Sequence, residues 1–237
     1  MCNYAGVFKV MNAVVYYSNT GQSQSIAEFL ANQLGFPNMD IEAVASEKFD
    51  NLVLVFPVHC QNLPDLIKAF IQGISVNNLT IVATYGKMCP GNVLYEIQKK
   101  YQKNIVAAAY VPTKHSYIEG DDAFNDFDKL QSLVAKIQNP SYIQLPKRYK
   151  NPLANVFPKL RSRLGLKIYK SDECNSCNLC GKSCYIGAIE KGTTNAKCIR
   201  CLKCVDKCPR KALAIRKGFW LNLYLRKNYM NELIIYV

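Results

Sequence analysis

A chain of 237 residues that is 49% hydrophobic and 20% charged is too apolar to stay disordered and long enough for two domains of ordinary size. Its net charge of +13 is lopsided: residues 1–140 hold 10 Lys/Arg against 12 Asp/Glu, whereas residues 141–237 hold 20 against 5. Eleven cysteines would suggest disulfides in a secreted protein, but the first ten residues lack the basic start, apolar run and small-residue cleavage site of a signal peptide. The chain is therefore read as cytoplasmic, with Met11, directly before the first strand-like run, as an alternative start to Met1.

Asn12 to Tyr17 form an apolar run ending in Ser18-Asn19-Thr20-Gly21, after which Ile26, Phe29, Leu30 and Leu34 recur at helical spacing: strand, loop, helix. Further strands are expected at Leu52 to Phe56, Thr80 to Thr84 and Ile105 to Tyr110, and helices at Leu63 to Ile71, Gly91 to Lys103 and Ala123 to Gln138. Such alternation predicts a parallel sheet covered on both faces. Residues 35–51 are short for a second strand plus a full second helix. Residues 139–170 break the pattern with Pro140, Pro146, Pro152, Pro158 and a series of Lys and Arg, and are read as a basic linker that Leu145, Leu153, Val156 and Phe157 keep against a surface.

Residues 171–215, within a domain expected over 171–217, contain an internal repeat at an offset of 24, in which Cys174, Cys177, Cys180 and Cys184 map onto Cys198, Cys201, Cys204 and Cys208. Both runs read C-x2-C-x2-C-x3-C and the second continues into Pro209, the pattern of bacterial two-cluster ferredoxins. In that pattern three cysteines of a run wrap one 4Fe-4S cluster and the fourth reaches the other. Cys174, Cys177 and Cys180 are thereby grouped with Cys208, and Cys198, Cys201 and Cys204 with Cys184. Two zinc sites or a disulfide framework are the competing readings, but structural zinc usually uses two separated ligand pairs. Tyr185 stands where the first run would normally have proline, a departure that removes no ligand.

The segment Ser18-Asn19-Thr20-Gly21-Gln22-Ser23 resembles the phosphate loop of flavodoxins. Backbone N–H groups at a helix N-terminus, with the hydroxyls of Ser18, Thr20 and Ser23, can hold a phosphate dianion without Lys or Arg, and Gly21 leaves room for close approach. An ordinary Ser/Thr-rich turn capping a helix is the alternative. Phe56-Pro57-Val58-His59 and Thr84-Tyr85-Gly86-Lys87 follow the third and fourth strands, where flavodoxin-like proteins place the loops that hold the isoalloxazine ring.

Taken together, most of the chain resembles the flavodoxin-ferredoxin fusion family. The resemblance implies an α/β, flavodoxin-like, doubly wound parallel five-stranded sheet over residues 11–138, then a small α+β ferredoxin-like domain with two 4Fe-4S clusters. It also implies FMN, held by Ser18, Asn19, Thr20, Gly21, Gln22, Ser23, Pro57, Val58, His59, Thr84, Tyr85 and Gly86. Tyr85 is the expected ring-stacking residue, against the alternative of an ordinary surface aromatic. His59, where many relatives have an aromatic, is read as a hydrogen-bonded loop residue. His115 and Tyr117, on the loop after the fifth strand, are candidates to face the flavin or the ferredoxin domain, and neither is assigned a role.

The expected function is electron transfer between the clusters and FMN. An FMN-dependent reductase of a small acceptor such as a quinone or flavin, and a ferredoxin with a flavin-free binding module, are the alternatives. No G-x-G-x-x-G fingerprint argues for a direct NAD(P)H site. The basic half suits acidic redox partner proteins, and no nucleic-acid motif accompanies it. The aromatic tail, residues 218–237, is too interrupted to span a bilayer and is expected to dock on the protein's own body, with a partner or peripheral membrane contact as the alternatives.

Overall fold

The computed structural model describes residues 11–45, 48–155, 163–226 and 230–237. The segment ahead of Met11, the linker residues Val156, Phe157, Pro158, Lys159 and Arg161, and Lys227 and Asn228 of the tail lie outside the described residues.

Uninterrupted Val, Leu, Ile and Ala runs make strands that can be buried on both faces. They appear as β1 (Met11–Tyr16), the short β2 (Asn38–Asp40), β3 (Lys48–Pro57), β4 (Ser75–Tyr85) and β5 (Ile105–Pro112), all parallel. Their spatial order is β2-β1-β3-β4-β5, the flavodoxin-like order. Ile26, Ala27 and Leu30 of α1 (Gln22–Leu34), with Leu133, Val134 and Ile137 of α4 (Gln131–Gln138), cover one face. Ile67 and Ile71 of α2 (Asp65–Gly73), with Val93, Leu94 and Ile97 of α3 (Val93–Tyr101), cover the other.

Several expectations are corrected. The sheet has six strands, because β10 (Ile234–Tyr236) from the tail pairs antiparallel with β5. The helix expected from Ala123 begins only at Gln131, after a 3-10 turn at Phe127–Leu130. The Asp and Asn residues at 121, 122, 125 and 126 favour turns, and Asp121 leaves the helical path to meet Lys87. The shortness of residues 35–51, by contrast, is met as expected: between β2 and β3 there is a 3-10 turn, Ile41–Ala43, in place of a full helix.

The linker does lie on a surface: the Ile143 N–H bonds to Ile105 O, the Leu145 N–H bonds to Gln98 Oε1, and Leu145 is buried. Leu153, by contrast, is exposed. Its last residues belong to the next unit, because β6 (Leu166–Lys170) pairs with β9 (Leu213–Lys217). Between these lie α5 (Leu179–Lys182), the hairpin of β7 (Ile189–Glu190) and β8 (Thr193–Thr194), and α6 (Lys203–Asp206). After β9 come α7 (Phe219–Leu225) and then β10. The cysteine-rich unit is thus framed on both sides by segments of the flavodoxin-like unit.

Candidate functional site

The sequence repeat extends to the backbone. Ser176 and Arg200, Asn178 and Leu202, and Gly187 and Lys211 all take positive φ, each pair 24 residues apart. Non-glycine residues enter this region at a cost, so its recurrence marks two loops wound in the same way. The windings enclose two small cavities. Cys174, Cys177, Cys180 and Cys208 line one, and Cys184, Cys198, Cys201 and Cys204 line the other. None of the eight forms a disulfide.

Among the described residues, no three His, Cys, Asp or Glu side chains gather as they would about a single metal ion. Thiolates bound to one zinc at about 2.3 Å would lie about 4 Å from one another. Burial pushes the Cys201 thiol up to about 11, and burial with neighbouring thiols pushes Cys204 to about 12.

A third cavity, of about 150 Å³, opens at the carboxyl ends of the parallel strands. The Ser18–Ser23 loop, Pro57-Val58-His59 and Thr84-Tyr85-Gly86 all reach it. Gly21, at φ 82, turns the chain into α1, and no neighbour lies where its Cβ would be. Glycine is thus required for the turn itself, more than for close packing. The N-cap position is Gly21 itself, with no side-chain hydrogen bond capping the helix. Ser18 Oγ and Asn19 Oδ1 are buried with no hydrogen-bond partner among the described residues. Ser23 lines the cavity and is buried, with Oγ 2.8 Å from Thr84 Oγ1, a contact that ties α1 to β4.

His59 is a hydrogen-bonded loop residue. Its Nε2 accepts from Asn19 Nδ2 at 2.8 Å, and burial lowers its pKa to about 4. Tyr85 lines the cavity and is not a surface aromatic. It is 3% exposed, its hydroxyl donates to Glu232 O at 2.6 Å, and it packs edge-on against Tyr110.

The loop after β5 faces both units. His115 lines the cavity, its Nδ1 accepts from the Tyr117 N–H, and burial lowers its pKa to about 4. The Tyr117 hydroxyl donates to Arg200 O at 2.7 Å, and Lys217 Nζ donates to Tyr117 O. Lys87 Nζ meets Asp121 Oδ1 at 2.6 Å, and the His115 N–H donates to Asp121 Oδ2, so the loop is clamped at its far end.

Two features escaped the sequence reading. Arg200 and Cys201 of the cysteine-rich unit line the loop cavity, and Arg200 Nη1 is buried without a partner among the described residues. Cys201 lines both this cavity and its own cysteine cavity. Spacing between ligands says nothing of where intervening residues point, so no signal in the chain marked Arg200. Tyr185, the departure from proline, packs edge-on against Tyr17 with ring centroids 5.5 Å apart, joining the fourth cysteine of the first run to the end of β1.

No family model and no curated protein matches the chain. Among solved structures, it is similar to a protein from Bacteroides uniformis described as a flavoprotein, at 17% identity over 45% of this chain and 92% of that one, TM-score 0.39. It is also similar to a short-chain flavodoxin associated with a bacterial microcompartment, at 14% identity over 55% and 97%, TM-score 0.38. Likenesses this distant carry no argument about the chain.

Proposed function

We propose that the chain is an electron-transfer flavo-iron-sulfur protein, with 4Fe-4S clusters in the two cysteine cavities and FMN at the loop cavity. The observation that carries this reading is Cys201, which lines a cysteine cavity and the loop cavity together. The donors fit: each cysteine cavity is lined by four cysteines, a donor set that suits zinc or iron-sulfur. Cys174, Cys177, Cys180 and Cys208 would hold one cluster, and Cys198, Cys201, Cys204 and Cys184 the other. When bound, the clusters supply one-electron chemistry and the flavin one- or two-electron chemistry.

The loop cavity also fits its group. The uncapped N-terminus of α1 presents N–H groups, and the unpartnered Ser18 Oγ adds a donor. Arg200 brings the positive charge that the Ser18–Ser23 segment lacks. Asn19 holds the His59 ring in place, and the Lys87–Asp121 pair holds the loop after β5. The Cys184 group, joined to the loop cavity through Cys201, is the inner one in this reading. The Cys174 group is the outer, with Lys191 and Arg210 at its rim for an acidic partner protein.

The test is stoichiometry on anaerobically purified protein. About eight iron, eight acid-labile sulfide and one FMN per chain are expected. Absence of sulfide after reconstitution would sink the cluster reading. Eight iron with no flavin, even after FMN is added, would leave a ferredoxin with a flavin-free module.

A further inference from the structure

The loop cavity, at about 150 Å³, falls short of the roughly 300–1,000 Å³ of a pocket for a drug-sized ligand. Beside it lies a cavity of about 460 Å³. Val58, Cys60, Tyr85, Gly86, His115 and Tyr117 line both, so the two are ends of one continuous depression. Their chemistry differs. The smaller end presents hydroxyls, amides and Arg200, whereas the larger is walled mainly by apolar side chains such as Met88, Leu164 and Leu221. A ligand matching both has a phosphate at one end and a flat, largely apolar ring at the other.

The outer wall of the larger end is α7. Phe219 and Trp220, the chain's one tryptophan, line it while remaining 73% and 78% exposed. These rings are not on a loose tail. The Gly218 N–H bonds to Gly165 O, Leu225 is buried, and β10 fixes the chain beyond. Holding an indole in water against an apolar cavity forgoes the burial that such a ring favours, unless a ligand covers it. On the opposite wall Tyr85 offers little of its ring, being 3% exposed and packed edge-on against Tyr110.

Resting on the flavin reading above, we infer that α7 completes the flavin site from outside the flavodoxin-like unit: the isoalloxazine ring lies in the larger cavity and Trp220 covers it. The aromatic contact expected of Tyr85 comes instead from the tail.

The test is equilibrium titration of cluster-loaded protein with FMN and with riboflavin, comparing wild type, Trp220→Ala and Trp220→Phe. Trp220→Ala is expected to weaken both ligands by roughly tenfold, because the lost contact is with the ring they share. The visible bands of the bound flavin should change as well, and Trp220→Phe should recover most of the affinity. Since Trp220 is exposed, unchanged cluster absorbance serves as the folding control. If wild type binds FMN and Trp220→Ala binds it equally well with the same spectrum, the inference is overturned while the flavin reading stands. Weakening of FMN but not riboflavin also overturns it, because Trp220 would then act at the phosphate end. A wild type that binds neither flavin overturns the flavin reading and the inference with it.

Discussion

Arg200 lies between two cysteines of one run, yet its guanidinium also serves the other unit. Its Nε donates to Leu166 O at 3.1 Å, which leaves Nη1 buried and unpartnered among the described residues at the loop cavity. A guanidinium facing a phosphate forms charge-assisted bonds worth about 1.5–3 kcal/mol. Arg200→Gln should therefore lower FMN affinity by at least about tenfold and leave riboflavin affinity unchanged. Equal loss for both flavins would put Arg200 on the ring instead. The two histidines make a separate prediction. Burial holds both folded-state values near 4, below the ordinary 6.5, so the native protein binds fewer protons than the unfolded chain between those values. Their contribution to stability is complete above about 6.5 and is lost as the pH falls toward 4. Imidazole proton resonances should stay in the neutral form from pH 7.5 to about 5.5, and a titration near 6.5 for either would contradict this. The grouping of the eight cysteines about two cavities was legible at this scale because it follows the spacing of the two runs. Arg200 and the engaged Tyr85 hydroxyl were not, since both depend on what the rest of the chain brings opposite them.

The parallel elements were legible where their strands are apolar throughout, as in Leu52 to Phe56 and Ile105 to Tyr110. Their full lengths were hidden by asparagines. Asn78 Nδ2 donates to Asn51 Oδ1 at 3.0 Å, and Asn51 Nδ2 donates to Asn12 Oδ1 at 2.9 Å, an amide ladder across β4, β3 and β1 at the sheet's lower end. Polar residues in sequence read as turn, but paired across strands they extend the sheet. Strand β10 was hidden for another reason. Its three residues acquire strand character only from the edge of β5 to which they pair. Removing residues 231–237 takes away this strand and the Glu232 backbone carbonyl that holds Tyr85. A loss of about 3 kcal/mol in unfolding free energy is expected from the exposed apolar area. Urea unfolding of the truncated and full chains would measure it, and equal midpoints with equal slopes would show that the strand adds nothing.

Over the whole molecule, the sequence suggests two units in series, whereas the chain arranges them as one unit set inside another. The flavodoxin-like sheet opens before the cysteine repeat and gains its last strand after it. Linear order alone conceals this, because an appended domain and an inserted one differ only in where the final residues pair. Contacts between the units gather near the loop cavity: Tyr117 with Arg200, Tyr17 with Tyr185, and Lys203 with Glu42 at 3.4 Å on the 3-10 turn between β2 and β3. These contacts are individually modest, and the last is a partly exposed pair open to screening by salt. Their number matters less than the double tether. A unit leashed at both ends to the same sheet stays at high effective concentration against its neighbour even when individual contacts break. On the function proposed above, the separation of flavin and clusters is then set by covalent reach, and electron exchange between them should be indifferent to dilution, which would drive a pair of freely docked proteins apart.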